Sequence, residues 1–198
     1  MRSFLLAAAA AAALATPAAA QTQAATIVHA GRVLVDPASG RVETQKSLVI
    51  RGGKVVRIAD GYISEPGATV IDLKTRFVLP GLIDSHVHLT GEQNPNARLE
   101  EVTQSSAEQA LVGARYARRT LMAGFTTVAD LGADTNAILA LRKATAAGDV
   151  PGPRIVASGS AISVHGGHGD VNGFRDDIMH LLRPNSVCSG ADDCARAV

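Results

Sequence analysis

The sequence predicts an α/β chain in two parts, an all-β N-terminal segment and then a run of βα units that builds a parallel sheet. Three observations predict it. Residues 25–74 are β-branched runs cut by turn clusters; beyond residue 77 apolar strands alternate with helical patterns; and the two longer helical patterns each end on a glycine. Strand and helix in alternation, joined by right-handed crossovers, make a parallel sheet, and Phe125 to Arg154 spans one unit of about 30 residues. With 46% hydrophobic and 19% charged residues the chain has a globular composition, not a disordered or membrane one.

Residues 1–20 are expected to form a secretory signal peptide. Arg2 precedes the apolar run FLLAAAAAAALA, and small residues lead to an expected cleavage after Ala20. That run is shorter than the ~20 residues a bilayer span needs, so no membrane association is expected after cleavage. The mature protein is then exported, periplasmic or secreted. Of the 19 Lys+Arg only Arg2 lies in this segment, so the rest balances the 18 Asp+Glu. A neutral chain gives no basic surplus for nucleic acid.

Residues 21–76 are expected to form a β-sandwich segment. TIVHAGRVLVD, SLVIRGGKVVRIAD and ATVIDLKTRFV read as strands between the turn clusters DPASG, RGGK and EPGA. Val33 with Val35, and Leu48 with Ile50, mark the faces expected to be buried, and His29 is expected to be an ordinary packing or surface residue.

Residues 77–198 carry the βα units. FVLPGLIDSHVHL is apolar on both faces, as in a strand covered on both sides. Residues 105–124 place Ala110, Leu111, Ala114, Ala117 and Leu121 at helical spacing and stop at Gly124, with Arg118 and Arg119 on a solvated face. FTTVADLG is a second strand, TNAILALRKATAAG (135–148) a helix begun by Asp134 and Thr135, and PRIVASGSAIS a third strand. Asp130 is expected to cap the following helix rather than face a pocket. FRDDIMHLL reads as a short helix with His180 at its surface, and Ser189 with Asp192 resembles a capping box opening a last helix. Cys188 and Cys194, six positions apart in an exported chain, are expected to form a structural disulfide rather than a metal pair.

The chemistry concentrates in GLIDSHVHLT. Residues i and i+2 of a strand face one way, so Asp84, His86 and His88 share a side. Two neutral imidazoles at the end of a parallel strand suit a divalent metal, most simply Zn²⁺, and such an ion activates water toward carbonyl or phosphoryl centres. HGGHGD (165–170) follows the third strand. It reads either as a flexible glycine loop with solvated histidines or as a loop on the catalytic face. In the second case His168, before His165, contacts a substrate carboxylate or carbonyl. A further arrangement has His165 and His168 complete a tetrahedral site with His86 and His88.

At Pro80-Gly81-Leu82-Ile83-Asp84-Ser85-His86-Val87-His88 the chain resembles the amidohydrolase superfamily. GFTTVADLGA and GDVPGPRIVASGSAISVHGGHGD resemble the branch of Xaa-Pro dipeptidases and imidazolonepropionase-like proteins. The resemblance implies an N-terminal β-sandwich and the first three or so units of a (β/α)₈ barrel, with His86 and His88 as ligands of one or two divalent ions. It implies a metal-dependent hydrolase that cleaves an amide bond of a dipeptide or similar small molecule, with a possible homo-oligomer. It also implies a lysine or glutamate, two further histidines and a general-base aspartate from later strands, expected beyond Val198. Residues 77–198 fall short of the about 200 that the smallest complete barrel takes, so the chain is expected to lack part of the active site. The alternative is an inactive remnant or a periplasmic metal-binding module without turnover.

Overall fold

A computed structural model describes residues 24–198; the expected signal peptide lies outside the described residues. The chain divides into two units, one ending at Leu79 and the other running from Pro80 to Val198.

The described part of the first unit is a four-stranded sheet of β1 (Thr26–Asp36), β2 (Arg41–Arg51), β3 (Lys54–Asp60) and β4 (Thr69–Val78), in the order β3-β2-β1-β4. β1 pairs antiparallel with β2 and parallel with β4. A single sheet, rather than two facing ones, stands where a sandwich segment was expected. Ala25, Ile27 and Val49 form its core. The alternation in β2 has the opposite phase to the expected one: Ser47 and Val49 are buried, while Leu48 and Ile50 are half-buried. Ser47 is tolerated inside because its hydroxyl donates to the Gly61 carbonyl at 2.8 Å and accepts the Ile63 N–H at 3.0 Å. His29 is a buried packing residue whose Nε2–H donates to the Ile63 carbonyl.

Phe77 and Val78 belong to this sheet, opposite Arg32 and Val33, and not to the strand that follows. The Pro80-Gly81 step separates the two. A Cβ on Gly81 would lie 2.1 Å from the Thr126 hydroxyl oxygen, so only glycine lets the chain enter the next strand this close to its neighbour.

The second unit is built on three parallel strands, β5 (Leu82–Val87), β6 (Phe125–Asp130) and β7 (Arg154–Ala157), in sequential order. Helices α1 (Ala97–Thr103) and α2 (Ser106–Met122) connect the first pair, and α3 (Thr135–Ala147) connects the second. α2 opens with a capping box between Ser105 and Glu108; α3 opens on the Asp134 carboxylate, which accepts the Ala137 N–H, and ends at the left-handed Gly148. Leu89, Ala117, Val128, Ile138, Leu141 and Ile155 form the core between helices and sheet. Leu111 departs from the expected stripe: it is 74% exposed, and Gly113 and Ala117 are the buried residues of α2. α2 and α3 cover one face of the sheet. On the strands themselves Ile83 is 73% exposed and Val156 is exposed too, so β5 is not covered on both faces among the described residues.

The chain continues through β8 (Ser163–Val164), α4 (Asp176–Leu182), β9 (Val187–Cys188) and α5 (Ala191–Ala197), with β8 and β9 in a two-stranded parallel ribbon. A disulfide joins Cys188 to Cys194. The Ser189–Asp192 capping box does not form. Gly190 precedes α5, and the Ser189 N–H is taken by Asp193, one residue later, at 2.7 Å. No helix among the described residues is long and apolar enough to cross a membrane.

Candidate functional site

The C-terminal ends of β5 and β6 carry His86, His88 and Asp130, at the edge where parallel α/β sheets hold their ligands, whereas His165 and His168 follow β8 of the separate ribbon and not the third strand of the parallel sheet. His86 is the penultimate residue of β5 and His88 lies just after the strand. Their rings stand edge to face with centroids 5.4 Å apart. The pairing of β5 with β6 shifts register between Asp84 and Val87, where the Asp84 carboxylate turns back to accept the His86 N–H. Both imidazoles are exposed.

His88 is oriented from one side. Its Nδ1–H donates to the Gly132 carbonyl at 2.7 Å, which leaves Nε2 as the unprotonated nitrogen of the neutral ring. An imidazole held at one nitrogen by a carbonyl, with the other free, is the usual arrangement of a metal-binding histidine. The donor set therefore fits a divalent ion such as Zn²⁺, with His86 and His88 supplying two donors. Among the described residues no group of three or more His, Cys, Asp or Glu gathers to hold a metal, so His165 and His168 do not complete a four-histidine site.

Two clefts meet at His88. One, of about 580 Å³, is lined by His86 and His88 with Thr90, Glu92, Glu100, Glu101 and Gln109. The other, of about 450 Å³, runs from His88 past Gly132, Asp134 and Ser160 to His168. His168 and His88 thus share a cavity, whereas His165 is exposed and lines neither.

The glycine loop that carries His168 is a folded turn. Asp170 is buried beneath it; its Oδ2 accepts the Gly166 N–H at 2.8 Å, and its Oδ1 accepts the Val171 N–H at 2.8 Å and the Arg183 Nε–H at 3.0 Å. The Gly166 N–H, followed by the Arg183 guanidinium, holds the Asp170 carboxyl below its ordinary value of 3.8, against the opposing effect of burial. A carboxylate held down in the folded state stabilises it above the ordinary value, and that contribution is lost as pH falls through the lowered one. The Gly166 amide resonance is therefore expected to stay unchanged at pH 5 and to shift only below 3.8. A shift centred at or above that value would contradict the clamp.

Asp130 does not cap α3, a role taken by Asp134, and it lines neither cleft. It is fully buried behind His88, where its carboxylate accepts the N–H groups of Leu89 and Gly132. Burial pushes its carboxyl above the usual aspartate range, while the two N–H groups and His88 pull the other way. The sequence reading missed this role and those of Asp170 and Arg183, because Asp130 and Asp170 bind backbone N–H groups that no side-chain pattern displays and Arg183 meets Asp170 only across 13 positions.

The amidohydrolase family model matches residues 77–197, from the strand before Pro80 through α5. The chain belongs to the amidohydrolase family. A dihydroorotase of Anaeromyxobacter sp. (strain K) is 36% identical over 121 residues, which cover 61% of this chain and 26% of that protein. Among solved structures, a Xaa-Pro dipeptidase with methionine in its active site is 36% identical with a TM-score of 0.69, over 78% of this chain and 38% of that one. A prolidase complexed with N-methylphosphonate-L-proline is 33% identical with a TM-score of 0.65, over 87% and 38%. The chain spans about a quarter of the length of the dihydroorotases it matches.

Proposed function

We propose that the chain is part of a metal-dependent hydrolase that cleaves the amide C–N bond of a dipeptide or similar small molecule. The observation that carries this is the His86–His88 pair at the end of β5, with the Nδ1 of His88 tied to Gly132. His86 and His88 hold a divalent ion, Zn²⁺ by preference, and further ligands and a general-base aspartate come from other barrel strands. An ion bound there supplies a Lewis acid and acidifies water to a pKa of about 7. His168, across the cleft from His88, binds the carboxylate or carbonyl of the substrate, and the Asp170 clamp keeps its loop in place. The likeness to the dipeptidase and the prolidase supports a dipeptide substrate. Export through residues 1–20 accords with the Cys188–Cys194 disulfide, since such bonds persist in oxidising compartments.

The test is made on the full-length gene product, loaded with Zn²⁺ and offered a panel of Xaa-Pro and other dipeptides beside dihydroorotate. Hydrolysis of a dipeptide that a chelator abolishes and Zn²⁺ restores is the expected result. Turnover of dihydroorotate alone would move the substrate to the other group of relatives. Zn²⁺ binding with no turnover of any amide would replace the enzyme with a metal-binding module.

A further inference from the structure

Asp130 is a fully buried carboxylate, and its two oxygens act on the same histidine by different routes. Oδ2 accepts the Leu89 N–H at 2.7 Å, the N–H of the peptide that joins His88 to Leu89. Oδ1 accepts the Gly132 N–H at 3.2 Å, and the carbonyl of Gly132 is the group that receives the Nδ1–H of His88. One side chain therefore grips the main chain immediately after His88 and the residue that orients its ring. We propose that Asp130 is a positioning residue for His88, holding its backbone and its Nδ1 acceptor in one frame so that Nε2 is kept free for a ligand. This rests on His88 being a metal ligand.

Blander roles do not account for the carboxylate. The helix cap is supplied by Asp134, and β5 and β6 are already joined by their own ladder. A buried carboxylate is unfavourable unless its oxygens are satisfied, and here both are, by the main-chain N–H that follows His88 and by that of Gly132. An amide of the same shape has a single acceptor oxygen and would turn an NH₂ toward one of those donors. Gly132 lies directly beside the ring: a Cβ there would stand 3.3 Å from Ala161 Cβ and 3.4 Å from His88 Cε1.

The experiment compares the wild-type chain with Asp130→Asn, His88→Ala and the double variant. Zn²⁺ affinity is measured by competition with a chelating dye, and the His88 tautomer by the ¹⁵N shifts of its ring. Asp130→Asn is expected to weaken Zn²⁺ binding by about 10- to 100-fold, the range for a group supporting a ligand. It is also expected to move His88 from the Nδ1–H tautomer toward a mixture, and to have no further effect when His88 is already alanine. A folded Asp130→Asn chain with unchanged affinity and tautomer would overturn the proposal. If Asp130→Asn does not fold, the wild-type spectrum decides, because a His88 ring protonated at Nε2 would equally overturn it. Should His88→Ala leave Zn²⁺ affinity unchanged, the assignment of His88 as a ligand fails instead, which separates the two failures.

Discussion

His88→Ala is expected to weaken Zn²⁺ binding by more than about 100-fold, beyond the range seen for residues that only support a ligand. Hydrolysis by the full-length protein is expected to fall to the background of the assay. The fold should scarcely notice. His88 is exposed, and its one side-chain bond, to the Gly132 carbonyl, is worth about 1 kcal/mol. His86→Ala should act in the same direction, since that ring is exposed and faces His88 edge-on. Chelator competition and a thermal melt, run on the same samples, separate the outcomes. A large loss of affinity with an unmoved melt marks a ligand, whereas a lowered melt with intact affinity marks a structural histidine. His165→Ala is the control, because His165 is exposed and lines neither cleft.

The largest stability effect is expected at Ile138. Its side chain is fully buried in α3, within a cluster formed by Leu89, Ala117, Val128, Leu141 and Ile155. Truncation to alanine removes three carbons from a core held on one side by sheet and on the other by helices, and neither can close the gap freely. The expected loss is about 2–5 kcal/mol, a large share of the 5–15 kcal/mol that keeps a typical domain folded. Leu111→Ala, on the solvent side of α2, should change stability by no more than about 0.5 kcal/mol. Urea unfolding of the two variants provides the comparison, and equal midpoints would refute the assignment of the core. Ile138→Ala is also expected to weaken the metal site. Leu89, in the same cluster, offers its N–H to Asp130, so a loosened core loosens the frame around His88.

Several features were legible because they are local. The Asp134 cap, the glycine ends of α2 and α3, and the alternation of strand and helix each arise within a few residues of chain. The His-x-His pair belongs with them, since a strand puts i and i+2 on one side wherever it sits. Local pattern also misled. Ser189 and Asp192 have capping-box spacing, yet Asp193 takes the Ser189 N–H because Gly190 turns the chain in a left-handed step ahead of α5. Leu48 and Ile50 look like the inward residues of β2, but Ser47 and Val49, opposite the buried His29 and Ile27 of β1, are the buried ones. Hydrophobicity tells which residues prefer burial, not which face the neighbouring strand will cover.

By itself, then, the sequence determined the alternation of strand and helix, the histidine pair and the close pairing of Cys188 with Cys194, but not α1, β8 or β9. Which groups surround those histidines was decided by tertiary structure alone. Leu89 meets Asp130 across 41 positions, His88 meets Gly132 across 44, and Arg183 reaches Asp170 across 13. Two of these three contacts end on a backbone N–H or carbonyl, which every residue carries and no residue type announces. Only the parallel register of β5 beside β6 brings the right peptide to the right side chain.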